Sequence, residues 1–174
     1  MFDHSLRIFV LILFFSATSG AYITPHQFYD PARHLLINAS STHWDLFNGI
    51  DFSNQKSNLQ FVARGPDVRG KSIQSTLTFR VDQGDWRSAR SYSERWLKDF
   101  PKFGYELQMS RESRFGNLSG FEIEFKGKGS ERTARQFIVK RPKEMWIFTC
   151  TGDSNHFSSV WSACEKILKT ASAH

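Results

Sequence analysis

Apolar positions recur at two distinct periods along this chain. Leu59, Phe61 and Ala63 alternate with polar neighbours such as Gln60 and Arg64. Ile73, Leu77, Phe79 and Val81 alternate with Gln74, Thr76, Thr78 and Arg80. A period of two, rich in β-branched and aromatic side chains, predicts strands with one dry face. The turn-rich segment Gly65 to Lys71 would join these two strands as a hairpin. Between Arg87 and Phe100 the period changes. Ala89, Tyr92, Trp96 and Phe100 fall on one helical stripe with Leu97 beside it, Asp85 is placed to cap the helix and Pro101 to end it. Alternation then returns in four runs: Tyr105 to Met109, Phe121 to Phe125, Arg132 to Lys140, and Met145 to Cys150. Turn residues separate them at Gly116-Asn117, at Gly127 to Ser130 and at Arg141 to Lys143. Phe157, Val160, Trp161, Cys164, Ile167 and Leu168 then form one helical face, predicting a helix from Ser154 to Thr170 capped by Asp153 or Ser154. Residues 22–42 carry no clear period. His26 to Ile37 reads as a short helix with Pro31 near its start, and Asn38 to Thr42 as a loop. The expected fold class is α+β, with a central antiparallel sheet of about six strands and helices packed on it.

The beginning of the chain has a different pattern. A polar start carrying Arg7 precedes the unbroken apolar run Ile8 to Phe15, and the small residues Ser16 to Ala21 come next. This three-part layout is that of a secretory signal peptide cleaved after Ala21. The apolar run is too short to cross a bilayer, which needs about 20 residues as a helix. The expected organisation is a signal peptide at residues 1–21, an N-terminal extension at 22–43 and an α+β domain at 44–174, secreted or periplasmic. Arg7 and Asp3 leave together, so the net charge of +6 is unchanged by cleavage. A basic excess attracts nucleic acid, anionic lipid or an acidic partner. The lysines and arginines are spread along the chain rather than gathered in one block, which describes a solvated basic surface. The aromatics, 15% of residues, include Phe121, Phe125, Trp96 and Trp161 at core-facing phases, so they form no base-stacking platform and no nucleic acid is expected.

One motif match is complete. Gly65 to Ser72 (GPDVRGKS) satisfies the phosphate-binding pattern G-x-x-x-x-G-K-[ST]. That loop works only where a helix comes next and points its N-terminus at the phosphates. Residues 73–82 read as a strand, because Phe79 shares a face with Ile73, Leu77 and Val81 only at period two. The expectation is therefore a polar hairpin loop that binds no nucleotide.

Other candidate chemistry is sparse. The histidines beyond the leader, His26, His34, His43, His156 and His174, show no metal-ligand spacing, and no G-x-S-x-G elbow occurs. No cofactor, metal or catalytic set is assigned. Glu122 and Glu124 share a strand face, expected to be a solvated outer face beside basic neighbours. Cys150 and Cys164 are an even pair in an exported chain, which invites a disulfide. A strand end must then approach a position well inside the next helix, within the narrow distance window of a bridge; two buried thiols are the alternative.

The order hairpin, helix, meander, closing helix comes with local signatures: Ser91-Tyr92 and Trp96-Leu97, Leu118 to Phe121, Trp146 to Cys150, and Cys164 to Leu168. Over residues 44–171 the chain resembles the PsbP-like superfamily, the fold shared by PsbP and Mog-type proteins and by small exported bacterial proteins. The resemblance implies a sheet sandwiched between helices and a non-catalytic accessory role. It carries over no functional residue position by position, and fold alone does not assign function. The leading expectation is an exported accessory domain that binds an envelope or extracellular protein. A small-ligand or lipid binder, with a pocket between sheet and closing helix lined by Trp146 and Trp161, is the alternative. A hydrolase with scattered site residues is the third reading.

Overall fold

The computed structural model describes residues 20–52, 58–66 and 73–173. Residues 1–19, on which the expected signal peptide falls, residues 67–72 of the Gly65–Ser72 motif, and His174 lie outside them. In chain order the elements are β1 (Tyr22–Thr24), β2 (Gln27–Asp30), β3 (Leu35–Asn38), β4 (Asp45–Asn48), β5 (Leu59–Arg64), β6 (Thr76–Gln83), α1 (Ala89–Leu97), β7 (Tyr105–Phe115), β8 (Leu118–Gly127), β9 (Arg132–Arg141), β10 (Glu144–Asp153), α2 (Phe157–Lys169) and β11 (Ser172–Ala173). The six strands expected from alternation are β5 to β10. They form a seven-stranded antiparallel sheet, ordered β4-β5-β6-β10-β9-β8-β7, with β4 added at one edge.

Connectivity explains that order. After the β5–β6 hairpin, α1 carries the chain across the sheet to the far edge. The meander β7-β8-β9-β10 then returns and lays β10 against β6. Paired on both sides, β10 is the most buried strand, and its register stacks aromatics across neighbours. Phe148 lies opposite both Phe79 and Phe137, with its ring 4.6 Å from that of Phe79.

Both faces of the large sheet are covered. One carries α2, whose predicted apolar face is buried at all six positions. Full burial of side chains this size contributes about 1.5–3 kcal/mol each. Asp153 caps the 3-10 turn Ser154–His156 that leads into α2, accepting from the Asn155 amide. The Cys150–Cys164 disulfide joins β10 to α2 between Cα atoms 6.2 Å apart. The 3-10 turn between them lets α2 fold back over β10, which brings the strand end to a position well inside the helix. The opposite face carries α1, seated on Phe121, Ile123, Ile138, Met145 and Ile147.

Residues 26–37 form a hairpin, not the expected short helix. Asp30 does cap a turn, its Oδ1 accepting from the amides of Ala32 and Arg33, but His34 at φ 50° reverses the chain. Phe28, Leu35 and Ile37 are buried at strand spacing. β1, β2 and β3 continue to β11 in a four-stranded antiparallel sheet, so the chain's last strand pairs with one of its first. Asn117, in the β7–β8 turn, donates to the Ala173 carbonyl and accepts from its amide, holding β11 from the other side.

Arg33 ties the small sheet to the large one. Its guanidinium donates two bonds of 3.0 Å to the Glu144 carboxylate and a third, of 2.6 Å, to Asp30. Glu144 also accepts from Trp146 Nε1 and Gln83 Nε2.

α1 begins later and ends earlier than its sequence pattern. Ser88, rather than Asp85, is the cap, and with Ser91 it makes a reciprocal capping box. The helix stops at Leu97. Trp96, expected in the core, is therefore on a final turn that extends past the buried cluster and is 49% exposed.

Candidate functional site

The end of α1 and the turn after it build an exposed apolar surface. After Asp99 the chain makes a 3-10 turn, Phe100–Phe103, with Pro101 near its start fixing φ. Gly104 stops the turn at φ 73°, a left-handed conformation that glycine adopts without Cβ strain. Three aromatic rings lock the turn onto the sheet. Phe100 meets Phe125 at 4.7 Å and Tyr105 at 5.8 Å, and Tyr105 meets Phe125 at 5.3 Å. The Lys128 amide donates to the Gly104 carbonyl at 2.6 Å and joins the turn to the β8–β9 connection.

Between this turn and the start of β7 lies a groove of about 360 Å³, lined by Leu97, Phe100, Pro101, Tyr105 and Leu107, with Glu106 and Lys128 as its charged groups. Around it, Phe103 is 71% exposed and Leu107 46%. Contiguous exposed apolar side chains of this kind mark contact sites, whereas isolated ones do not. β7 is also an edge strand, bulged at Gln108 between Leu107 and Met109. Alternation and the proline stop foretold the turn. That its side chains would stand outside the core was not readable from them.

Tyr92 fixes α1 to the sheet from inside. Its hydroxyl donates to Asp82 at 2.5 Å and accepts from Arg80 at 3.2 Å. Burial raises the phenol's pKa above its ordinary value, and the bond to Asp82 raises it further. The phenol stays protonated, as an anchor requires.

The predicted Glu122 and Glu124 face is corrected by the structure: it is not solvated. Glu122 is fully buried and paired with Arg111 at 2.8 Å and Arg135 at 3.4 Å, while Glu124 pairs with Arg135. The Arg135 guanidinium lies 4.4 Å from the ring of Trp161. The alternation was read correctly, since Phe121 and Ile123 do face the other way. A sheet covered on both sides simply has little wet face. Buried carboxylates held by two arginines orient β7, β8 and β9 beneath α2.

Trp146, on β10, and Trp161, on the buried face of α2, are the candidate pocket-lining residues, and both are in the core. Trp146 is 1% exposed and packs edge-on against Phe79, and Trp161 packs against Phe115. Neither lines the apolar groove beside Phe103. Two shallower polar grooves, of about 280 and 250 Å³, meet at His43 and Pro66 beside the exposed side of α2. Pro66 belongs to the GPDVRGKS segment. The Gly65 amide donates to the Ser75 carbonyl, and the chain continues into β6. A strand thus stands where a phosphate loop needs a helix.

No protein-family profile matches this sequence, and no curated protein aligns with it significantly. Solved structures do resemble its fold. The cyanobacterial PsbP of Synechocystis sp. PCC 6803 superposes with a TM-score of 0.60 at 11% identity, covering 87% of this chain and 94% of that one. LpqN of Mycobacterium tuberculosis, described as involved in cell envelope biogenesis, gives 0.57 at 14% identity over 75% of this chain and 78% of its own. A Pseudomonas aeruginosa protein of unknown function, PA94, gives 0.57 at 16% identity, covering 76% of this chain and 98% of that one. The fold is therefore PsbP-like, and identities this low speak to the fold alone.

Proposed function

We propose that this chain is an exported, non-catalytic accessory module of the cell envelope that acts by binding, through the face made by α1, the turn Phe100–Phe103 and the start of β7. The observation that carries this reading is the apolar groove with exposed side chains, held on a rigid aromatic base. Such a preorganised surface loses little conformational entropy on contact. Export is supported by the leader pattern and by the disulfide, since disulfides persist in oxidising compartments. The envelope role printed for LpqN is consistent with it. A second reading rests on the groove's size, which falls within the range of about 300–1,000 Å³ typical of small-ligand sites. It moves the ligand from beneath α2 to the opposite face of the sheet.

The test is a photo-crosslinking amino acid at position 103, incorporated in the host. A specific adduct that disappears when Leu107→Asp is added supports binding through this face. Absence of any adduct overturns the assignment of the face.

A further inference from the structure

The geometry points to an anionic lipid surface as the partner of this face, an inference that rests on the binding reading above. Phe103 stands at the tip of a turn and not inside a pocket. A Cβ at the neighbouring Gly104 would meet nothing within 4 Å, so the tip is open on that side too. Trp96 at the end of α1 and Tyr105 at the start of β7, on either side of the turn in sequence, are also exposed, and such amphipathic rings favour the depth of lipid headgroups. A protruding apolar tip flanked by Trp and Tyr is the composition of a segment that lies in a membrane interface.

Charge supplies the second half of the argument. Lys98 and Lys128 are exposed on the segments that build this face, and neither makes an ion pair among the described residues. Arg95 lies 4.9 Å from the ring of Trp86, leaving its charge uncancelled. Of the carboxylates on the same segments, Asp99 is held by Lys102 and Glu94 by Arg90, Glu106 lies opposite Lys126 in the β7–β8 ladder, and Glu131 is exposed beyond Lys128. Cations therefore exceed anions around the apolar tip, on a chain whose net charge is already +6. A lysine near an anionic leaflet strengthens partitioning about fivefold. An acidic protein would satisfy the lysines, but a protruding, largely exposed tip is better matched by a fluid surface than by a preformed socket. The aromatic base of Phe100, Tyr105 and Phe125 holds the tip rigid, so insertion requires no refolding.

The test is vesicle co-sedimentation of the full chain, with phosphatidylcholine alone and with about one third phosphatidylglycerol. Comparing variants in the same chain cancels any contribution from its apolar leader. The expected result is binding that requires the anionic lipid. Phe103→Ser should weaken it about tenfold through lost apolar insertion, and Lys98→Gln with Lys128→Gln about 25-fold. Both sites are exposed, so an unchanged melting temperature shows that the variants fold. Binding indifferent to Phe103→Ser and to the lysines overturns the inference, as does equal binding to both vesicles. The crosslink at position 103 separates the two levels. A protein adduct without vesicle binding overturns the lipid assignment and leaves the binding face standing. Neither adduct nor vesicle binding overturns both.

Discussion

Replacing Glu144 with glutamine tests whether the small sheet is fastened to the large one by charge. Gln has nearly the shape of the carboxyl group, but its single oxygen can accept from Trp146 or from Gln83 and not from both, since the two bond different carboxylate oxygens. It also loses the charged, two-pronged contact with Arg33, whose bonds are 3.0 Å each. A hydrogen bond to a charged group contributes about 1.5–3 kcal/mol. The two prongs are one interaction rather than two, and both side chains keep roughly a fifth of their exposure (21% and 18%), which lets water screen them. The expected loss for Glu144→Gln is therefore about 2 kcal/mol, read as a lowered urea midpoint at pH 7. Acid supplies the control. Burial pushes the Glu144 pKa up, but donation from Arg33, Trp146 and Gln83 outweighs it, so the folded value lies below the ordinary one. A depressed carboxyl pKa contributes stability that is complete above the unfolded value, about 4.3, and is lost as pH falls through the folded value. Below that point the wild-type group is itself protonated and resembles Gln, so the difference between the two proteins should vanish. A loss under about 0.5 kcal/mol at pH 7 would refute the argument, because it falls within the range of about 0.2–1 kcal/mol given by exposed pairs. So would a difference that persists undiminished in acid.

Other consequences of the structure are as accessible. Replacing Cys150 and Cys164 together with alanine should lower stability by about 3 kcal/mol, the loop-closure value for a bridge spanning 14 positions, measured by guanidinium unfolding. Both cysteines are fully buried, so mild reductant should leave the folded protein untouched and act only as it unfolds. Glu122→Ala should cost about 3–5 kcal/mol, because it leaves Arg135 without one of its partners in a covered site. A double variant that also replaces Arg135 with methionine should recover much of that loss, and failure to recover would show that the carboxylate does more than balance charge.

The sequence made legible what periodicity governs. β5 to β10 and α2 lie where alternation and the helical stripe placed them, because each has one face that must be dry. Three features escaped for separate reasons. In residues 26–37, Pro31 after Asp30 is an equally good opening for a helix and for a turn, and only the pairing of Leu35 and Ile37 with β2 decides between them. Trp96 kept its helical phase, but the helix ended before the sheet could cover it. Glu122 obeyed the polar rule for a wet face, yet α2 and the arginines of β7 and β9 enclose it. The contact face was hidden for a related reason. Phe103 and Leu107 look like core residues in one dimension, and exposure is decided by where the turn at Pro101 aims them.

The pairing of β3 with β11 has a consequence for how the molecule comes into being. Leu35 and Leu36 meet their partners only at Ala173 and Ser172, almost the whole length of the chain later. Contacts so distant in sequence form late and slowly. While the chain is being synthesised, the first three strands must wait with the β3 edge unpaired. The Arg33 anchor on Glu144 cannot close until the meander is complete. Assembly of the small sheet thus waits for Ser172 and Ala173, and a variant truncated before them would keep its central sheet while leaving that early edge open to other strands.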